Sequence, residues 1–220
     1  LAQLPTRFEV FFILGDAPQG QFRNEKAKRL LGFLYGPSGL TGGVRGDPKH
    51  PSFGLIGWGA WSPSWEIANY GDDNARALMA TMLAAACLET DGFDASMLRA
   101  LLANLRTTGR LGFRGDRIDL PDLERQGWRH YADAETVNAA PHYEAYLWAC
   151  YLWAFRHTGH RPFLEFAESG IRLTMKAYPK GWRFNDTSER AQMLLPLAWL
   201  VRTEATPERL GWLRRIASDL

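Results

Sequence analysis

The chain has 220 residues, 46% of them hydrophobic, which is enough for one domain with a substantial core. A formal net charge of +2, with arginines scattered rather than gathered into runs, excludes the footprint of a nucleic-acid binder. No apolar run reaches the roughly 18 residues that a membrane-spanning helix needs.

Residues 1–57 form a leading segment and residues 58–220 carry the repeating pattern of a single domain. Near the start, Phe8 and Val10 to Leu14 make an apolar run before Gly15-Asp16, too short to assign as helix or strand. Ala27, Leu30, Leu31 and Leu34 then recur at helical spacing. A Gly/Pro/Ser-rich loop follows from about Gly36 to Gly57 and leads into an aromatic stretch with Trp58, Trp61 and Trp65.

The next helix is expected from about Asp72, and its stretch Ala75 to Leu88 is apolar on nearly every side, the mark of burial all round. A different helix follows from Asp94 to Thr107, with Leu98, Leu101, Leu102 and Leu105 on one stripe. The alternation repeats. His142 to Phe155 is apolar nearly all round, and the helix opened by Pro162 and Phe163 carries Leu164, Ala167, Ile171, Met175 and Tyr178 on one side until Pro179 and Gly181 end it. A third round pairs Ala191 to Val201, with a kink expected at Pro196, and a last one-sided helix capped by Thr206 and opened by Pro207. The two cysteines, Cys87 and Cys150, lie in apolar helical stretches and read as buried free thiols.

Fully apolar helices alternating with striped ones predict an all-α protein with two concentric layers, the α/α-hairpin toroid. Only three hairpins and one leading helix are counted. The toroid is therefore expected to be incomplete, and an exposed apolar inner face would call for a second copy or the remainder of the same toroid. The chain opens on Leu1 without a methionine and no signal-peptide pattern is visible, which leaves the compartment open.

The segments leaving the apolar helices are short and plain, whereas those leading into them are crowded. The first, NYGDDNAR, holds Tyr70, Asp72, Asp73 and Arg76. The second runs from about Gly112 to Tyr146 and holds Arg114, Asp116, His142, Tyr143 and Glu144. The third, GWRFNDTSER, holds Trp182, Glu189 and Arg190. In concentric layers the N-termini of inner helices share one rim, so these residues are expected to converge. Two carboxylates among aromatics suit glycosidic-bond cleavage: one protonated group gives a proton to the leaving oxygen and one ionised group activates water or attacks the sugar. Asp72, Asp73 and Glu144 are the candidates for that chemistry. Trp58, Trp61, Trp65, Tyr70, Arg76, Arg114, Asp116, His142, Tyr143, Trp182, Glu189 and Arg190 are the candidates for holding a sugar.

Structural roles compete at each position. Asp72 or Asp73 could cap a helix start. Asp186 and Glu189 have capping-box spacing. His142 could bond only to backbone. The segment from Arg114 to Arg117 could be a lid or a surface salt-bridge cluster. Glu144, a carboxylate among aromatics in a buried helix, needs a partner or a purpose. No CxxC, HExxH, GxSxG or phosphate-loop motif occurs, and neither a metal nor a cofactor is expected.

The strings NYGDDNAR, LLANLRTTGRLGFRGDRID, PHYEAYLWACYLWAFRHTG and ERAQMLLPLAWLVR resemble bacterial six-hairpin glycosidase-like proteins, over about Gly54 to Leu220. The resemblance implies an (α/α)6 toroid, acid/base carboxylates at the rim where inner helices begin, and frequent inversion. Carried onto this chain, it points to Asp72, Asp73 and Glu144. The expected activity is that of a glycoside hydrolase on an oligo- or polysaccharide, with no cofactor. A polysaccharide lyase or sugar epimerase on the same toroid would lean on His142, a tyrosine and arginine instead. A non-catalytic glycan-binding module would use the rim charges as caps and ion pairs.

Overall fold

A computed structural model describes residues 19–58 and 63–220, apart from the side chains of residues 19–24 and Trp65. The apolar run near the start of the chain and Trp61 lie outside the described residues. The described chain is mostly helical, with one small two-stranded ribbon.

Helix α1 (Gln19–Tyr35) is followed by a loop containing one 3-10 turn, Gly43–Gly46, and by the short α2 (Pro63–Glu66). Strand β1 (Ala68–Tyr70) runs straight into α3 (Gly71–Cys87), and α4 (Asp94–Arg106) returns alongside it. Strand β2 (Arg117–Asp119) then leads through the short α5 (Leu120–Gln126) and α6 (Trp128–Ala132) to α7 (Pro141–Thr158). The remaining helices are α8 (Arg161–Ala177), α9 (Thr187–Thr203) and α10 (Pro207–Ser218).

The predicted helices form with small shifts at their ends, as frayed boundaries lead one to expect. The three apolar helices pack side by side, α7 lying between α3 and α9. Each one-sided helix covers its predecessor: α4 on α3, α8 on α7 and α10 on α9. The reason lies in the stripes. Helix α8 buries Phe163, Ala167, Ile171, Thr174 and Met175 and turns Arg161, Glu165 and Arg172 outward. Helix α7 has no polar face to spare, and Leu147, Trp148, Cys150, Tyr151 and Leu152 are all buried. Both cysteines are free; Cys150 is buried and Cys87 half-buried. Pro196 sits buried inside α9.

Among the described residues, two helix starts carry side-chain caps. Thr206 Oγ1 accepts from the Arg209 N–H at 3.2 Å, and Asp186 Oδ1 accepts from the Glu189 N–H at 2.9 Å. Buried Arg209 then ties α10 to α8, donating from Nη2 to Glu168 Oε1 at 2.7 Å and from Nη1 to the Glu204 carbonyl at 3.1 Å. An Arg209→Met variant should lose about 1–3 kcal/mol of stability, because charge-assisted bonds vanish from a dry contact. A urea melt checks this; an unchanged midpoint would mean that the pair is neutral against a well-packed apolar side chain.

No sequence period announces the ribbon, since three-residue strands are too short to leave one. β1 and β2 pair antiparallel, with Ala68 opposite Asp119, Asn69 opposite Ile118 and Tyr70 opposite Arg117. Ile118 and Ala103 close with Leu55 and Leu123 into a small second core beneath it. Two buried asparagines lock this corner. Asn69 accepts from Arg45 Nε at 2.9 Å and donates to the Ile118 carbonyl at 3.0 Å. Asn74 accepts from the Ile56 N–H at 2.9 Å, donates to the Ile56 carbonyl at 2.7 Å, and accepts from Asn104 at 3.0 Å. Both asparagines of NYGDDNAR therefore hold the fold, which leaves Tyr70, Asp72, Asp73 and Arg76 to face outward or into the site. Among the described residues no helix is long and apolar enough to cross a membrane.

Candidate active site

The ribbon carries the end of β1 and the start of α3 to the long segment that leads into α7. Tyr70 is the N-cap of α3, which puts Asp72 and Asp73 in its first turn, where carboxylates favour the positive end of the helix. Neither is the cap residue. Asp72 is 6% exposed. Its Oδ2 lies 3.3 Å from Arg76 Nη2, one turn along the same helix, and 3.9 Å from His142 Nε2 at the start of α7. Burial pushes the Asp72 carboxyl above the usual range, while Arg76, His142 and the free N–H groups of the first turn pull it back. The half-buried Asp73 is raised by burial as well, and the Asp72 charge beside it adds to the shift.

Aromatic rings gather around Asp72 and its partners, several with a guanidinium over the face. Arg76 lies 5.3 Å from the Tyr146 ring, Arg117 lies 5.6 Å from Tyr70, and Arg183 lies 5.5 Å from Tyr143 and 5.2 Å from Phe184. The exposed Trp58 meets Tyr70 edge-on at 5.5 Å, and His142 meets Tyr143 edge-on at 4.8 Å. Burial raises the Tyr143 hydroxyl, and the charges that act on it come from Asp116, Arg183, Asp72 and Tyr70. Residues from all three crowded segments thus meet around one tyrosine.

Other predicted residues lie beneath or beyond this surface. Glu144 is fully buried. Its Oε1 accepts from the Gly115 N–H at 2.8 Å and Asn138 Nδ2 at 3.2 Å, and its Oε2 accepts from the Arg114 N–H at 3.1 Å. Glu189 is buried too. Its Oε2 accepts from the His142 N–H at 2.8 Å, satisfying a free donor at the start of α7. The capping-box spacing is therefore half used: Asp186 caps, but Glu189 reaches a neighbouring helix. Arg114 points inward and is buried, with Nε on Thr107 Oγ1 at 3.2 Å and Nη1 on the Asn69 carbonyl at 3.3 Å. The stretch Arg114 to Arg117 is accordingly neither all lid nor all surface cluster.

These placements correct the expectations for Glu144, Glu189 and Arg114, which are buried and bonded inside the fold rather than open to a sugar, and Trp182 joins them. Trp182 is 5% exposed, packs edge-on against Tyr178 at 4.6 Å, and donates its indole N–H to the Thr174 carbonyl at 2.9 Å. It closes the core at the end of α8 and cannot stack on a sugar. The half-buried Arg190 donates to Asn185 Oδ1 at 2.9 Å and acts electrostatically on Tyr178, partners other than those gathered around Tyr143. Arg183, from the same crowded segment, takes the place expected of it, with Nη1 2.5 Å from Asp116 Oδ2. Arg183, Phe184, Asn138 and Tyr146 were not singled out as site residues in the sequence, although all four lie in its crowded segments. Trp65's side chain lies outside the described residues.

A shallow cavity of about 240 Å³ opens at the opposite end of α7, lined by Met97, Leu98, Leu101, Trp153 and His157. It is apolar and lies apart from the carboxylates. Among the described residues, no group of three or more histidines, cysteines and carboxylates is placed to hold a metal ion. Comparisons with protein-family models, curated proteins and solved structures find no match to the chain.

Proposed function

We propose that the chain is a glycoside hydrolase whose acid/base pair is Asp72 and Asp73. One observation carries the reading: two neighbouring carboxylates, unequally buried and both raised by burial, share the first turn of α3 beside Arg76 and His142, with the Tyr143 ring against His142. Burial disfavours ionisation of both, and the Asp72 charge further disfavours that of Asp73, so the two can hold one protonated and one ionised carboxyl at once. Asp72, the more buried, is the proton donor to the leaving oxygen. Asp73 is the ionised group that activates water, and inversion is the expected outcome. Asp116, held by Arg183 and Asn138, positions sugar hydroxyls, and Trp58, Tyr70, Tyr143 and Phe184 offer faces for sugar rings.

The helix packing fits this reading. Three apolar helices side by side, each covered by a striped helix, are what three hairpins of an α/α toroid would present, with Asp72 and His142 at the starts of two inner helices, although α9 buries only the apolar stripe of Met193, Pro196, Leu197 and Leu200. A second reading has its own support. His142 against Tyr143, with Arg183 across the same ring, is a set from which a lyase or epimerase could draw a base and a carboxylate clamp.

Reducing-sugar release from a panel of neutral and acidic glycans tests the proposal. Hydrolysis that disappears in the Asp72→Asn and Asp73→Asn variants supports it. An unsaturated product instead of new reducing ends favours the lyase. Binding without turnover, unchanged in the double variant, would sink both enzyme readings.

A further inference from the structure

Glu144 links three stretches of chain that meet at the rim. Its carboxylate takes the N–H groups of Arg114 and Gly115 at 3.1 and 2.8 Å, and the Asn138 amide at 3.2 Å. The same Asn138 Nδ2 also donates to Asp116 Oδ1 at 2.9 Å. Asp116 Oδ2 pairs with Arg183, whose own backbone N–H donates to the Ala139 carbonyl at 3.0 Å. One buried group on α7 is thereby connected to residues 114–116, 138–139 and 183.

We infer that Glu144 is a positioning residue: its ionised carboxylate latches residues 114–116 and 138 onto the first turn of α7 and so aims Asp116 and Arg183 over Tyr143. With none of its surface exposed, Glu144 cannot reach a sugar. The need for the ionised form follows from donor counting. Only N–H groups face the two oxygens, and a protonated carboxyl would turn one oxygen into a donor with nothing to accept from it. The charged and titratable groups around it are Arg114 from the facing loop, Tyr151 farther along α7, Asp72 of α3 acting on Arg114, and Asp116 behind Asn138.

Burial pushes the Glu144 carboxyl up to about 7, against the pull of the Arg114 and Gly115 N–H groups, Asn138 and the Arg114 charge. The latch therefore works near neutrality, and two trends run in opposite directions. The folded state holds this proton more tightly than the unfolded chain, so Glu144's contribution to stability is full at low pH and lost as pH rises through about 7. Order in residues 114–116 rises over the same range. The latch rests on the hydrolase reading only for its effect on turnover.

The test is a proton–nitrogen NMR titration of the full chain over roughly pH 5 to 9, bracketing the carboxyl's range. The Arg114 and Gly115 amide signals should move together, with one midpoint near neutral pH, and the movement should vanish in Glu144→Gln. Asn138→Ala leaves the two backbone bonds to Glu144 in place, so it should keep the Gly115 titration while amide protection falls around Arg183. This second variant keeps the inference open to refutation if Glu144→Gln fails to fold. Where a glycan is turned over, Glu144→Gln should lower kcat/KM about 10- to 100-fold, the cost of a small misplacement. It should also flatten the acid limb of the pH profile, which a purely structural role would not do. Arg114 and Gly115 signals that stay fixed across the range in the wild-type protein would overturn the latch. So would unchanged protection of residues 114–116 in a folded Glu144→Gln protein. The amide signals report on the latch whether or not any glycan is cleaved, so the two readings fail separately.

Discussion

Replacing Asp72 by asparagine should abolish glycan hydrolysis while leaving the fold at least as stable at neutral pH. Removing a general acid usually costs about 10²–10⁴ in rate, equivalent to roughly 3–5 kcal/mol of transition-state stabilisation. The size follows from the position: Asp72 is the buried member of the pair and the one with Arg76 and His142 beside it. The stability expectation follows from the sign of its shift. A carboxyl raised by burial contributes stability below its unfolded value, and that contribution is lost as pH rises through the folded value. At neutral pH the wild-type side chain carries an ionisation penalty that asparagine, of nearly the same shape, does not. Melts at acidic and neutral pH should therefore show the wild-type protein losing ground to Asp72→Asn as pH rises. Activity retained within a few-fold would remove Asp72 from the chemistry. A large loss of stability at neutral pH would make it an anchor instead.

Much of the helical scaffold was legible because burial leaves a period. The stretch from Leu147 to Leu152 has no polar face, and Ile171 and Met175 fall on one stripe; such patterns survive without knowledge of partners. Thr206 and Asp186 were readable as caps because capping is local. The site was less legible because its logic is not local. Glu144 stood out as a carboxylate in an apolar helix, but its bonding is decided by the Arg114 and Gly115 amides roughly 30 residues earlier in the chain, brought there by a ribbon with no sequence period. Trp182 and Arg183 are neighbours with opposite fates. Trp182 turns into the core, and Arg183 reaches Asp116. A crowded segment tells which residues are near the rim. It does not tell which of two adjacent side chains faces it.

The same loop gives the largest expected loss of stability, at Gly112. Its backbone has φ of +87°, a region that L side chains rarely adopt, and a Cβ there would sit 2.1 Å from the Phe166 carbonyl oxygen and 2.7 Å from the Gly170 nitrogen. Both neighbours are backbone atoms of α8, so neither can swing aside. Strain of about 1–3 kcal/mol and a clash of similar size put the cost of Gly112→Ala at roughly 3–5 kcal/mol. For a chain of this length, that lowers the melting temperature by roughly 6–20 °C. Gly170→Ala should cost less, because its backbone lies outside the positive-φ region and only the clash of its Cβ with the Trp148 indole at 2.6 Å is added. The two sites share that indole, whose N–H donates to the Gly112 carbonyl at 2.8 Å, so the double variant should lose less than the sum of the singles. They should differ at the rim. Gly112 lies two residues before Arg114, and displacing it pulls on the N–H groups that hold Glu144, whereas Gly170 is on the covering helix. Matched denaturant melts and Gly115 amide spectra of the two variants separate these effects. Equal stability losses with an unmoved Gly115 signal in both would show that the loop carries no strain from Gly112 to the site.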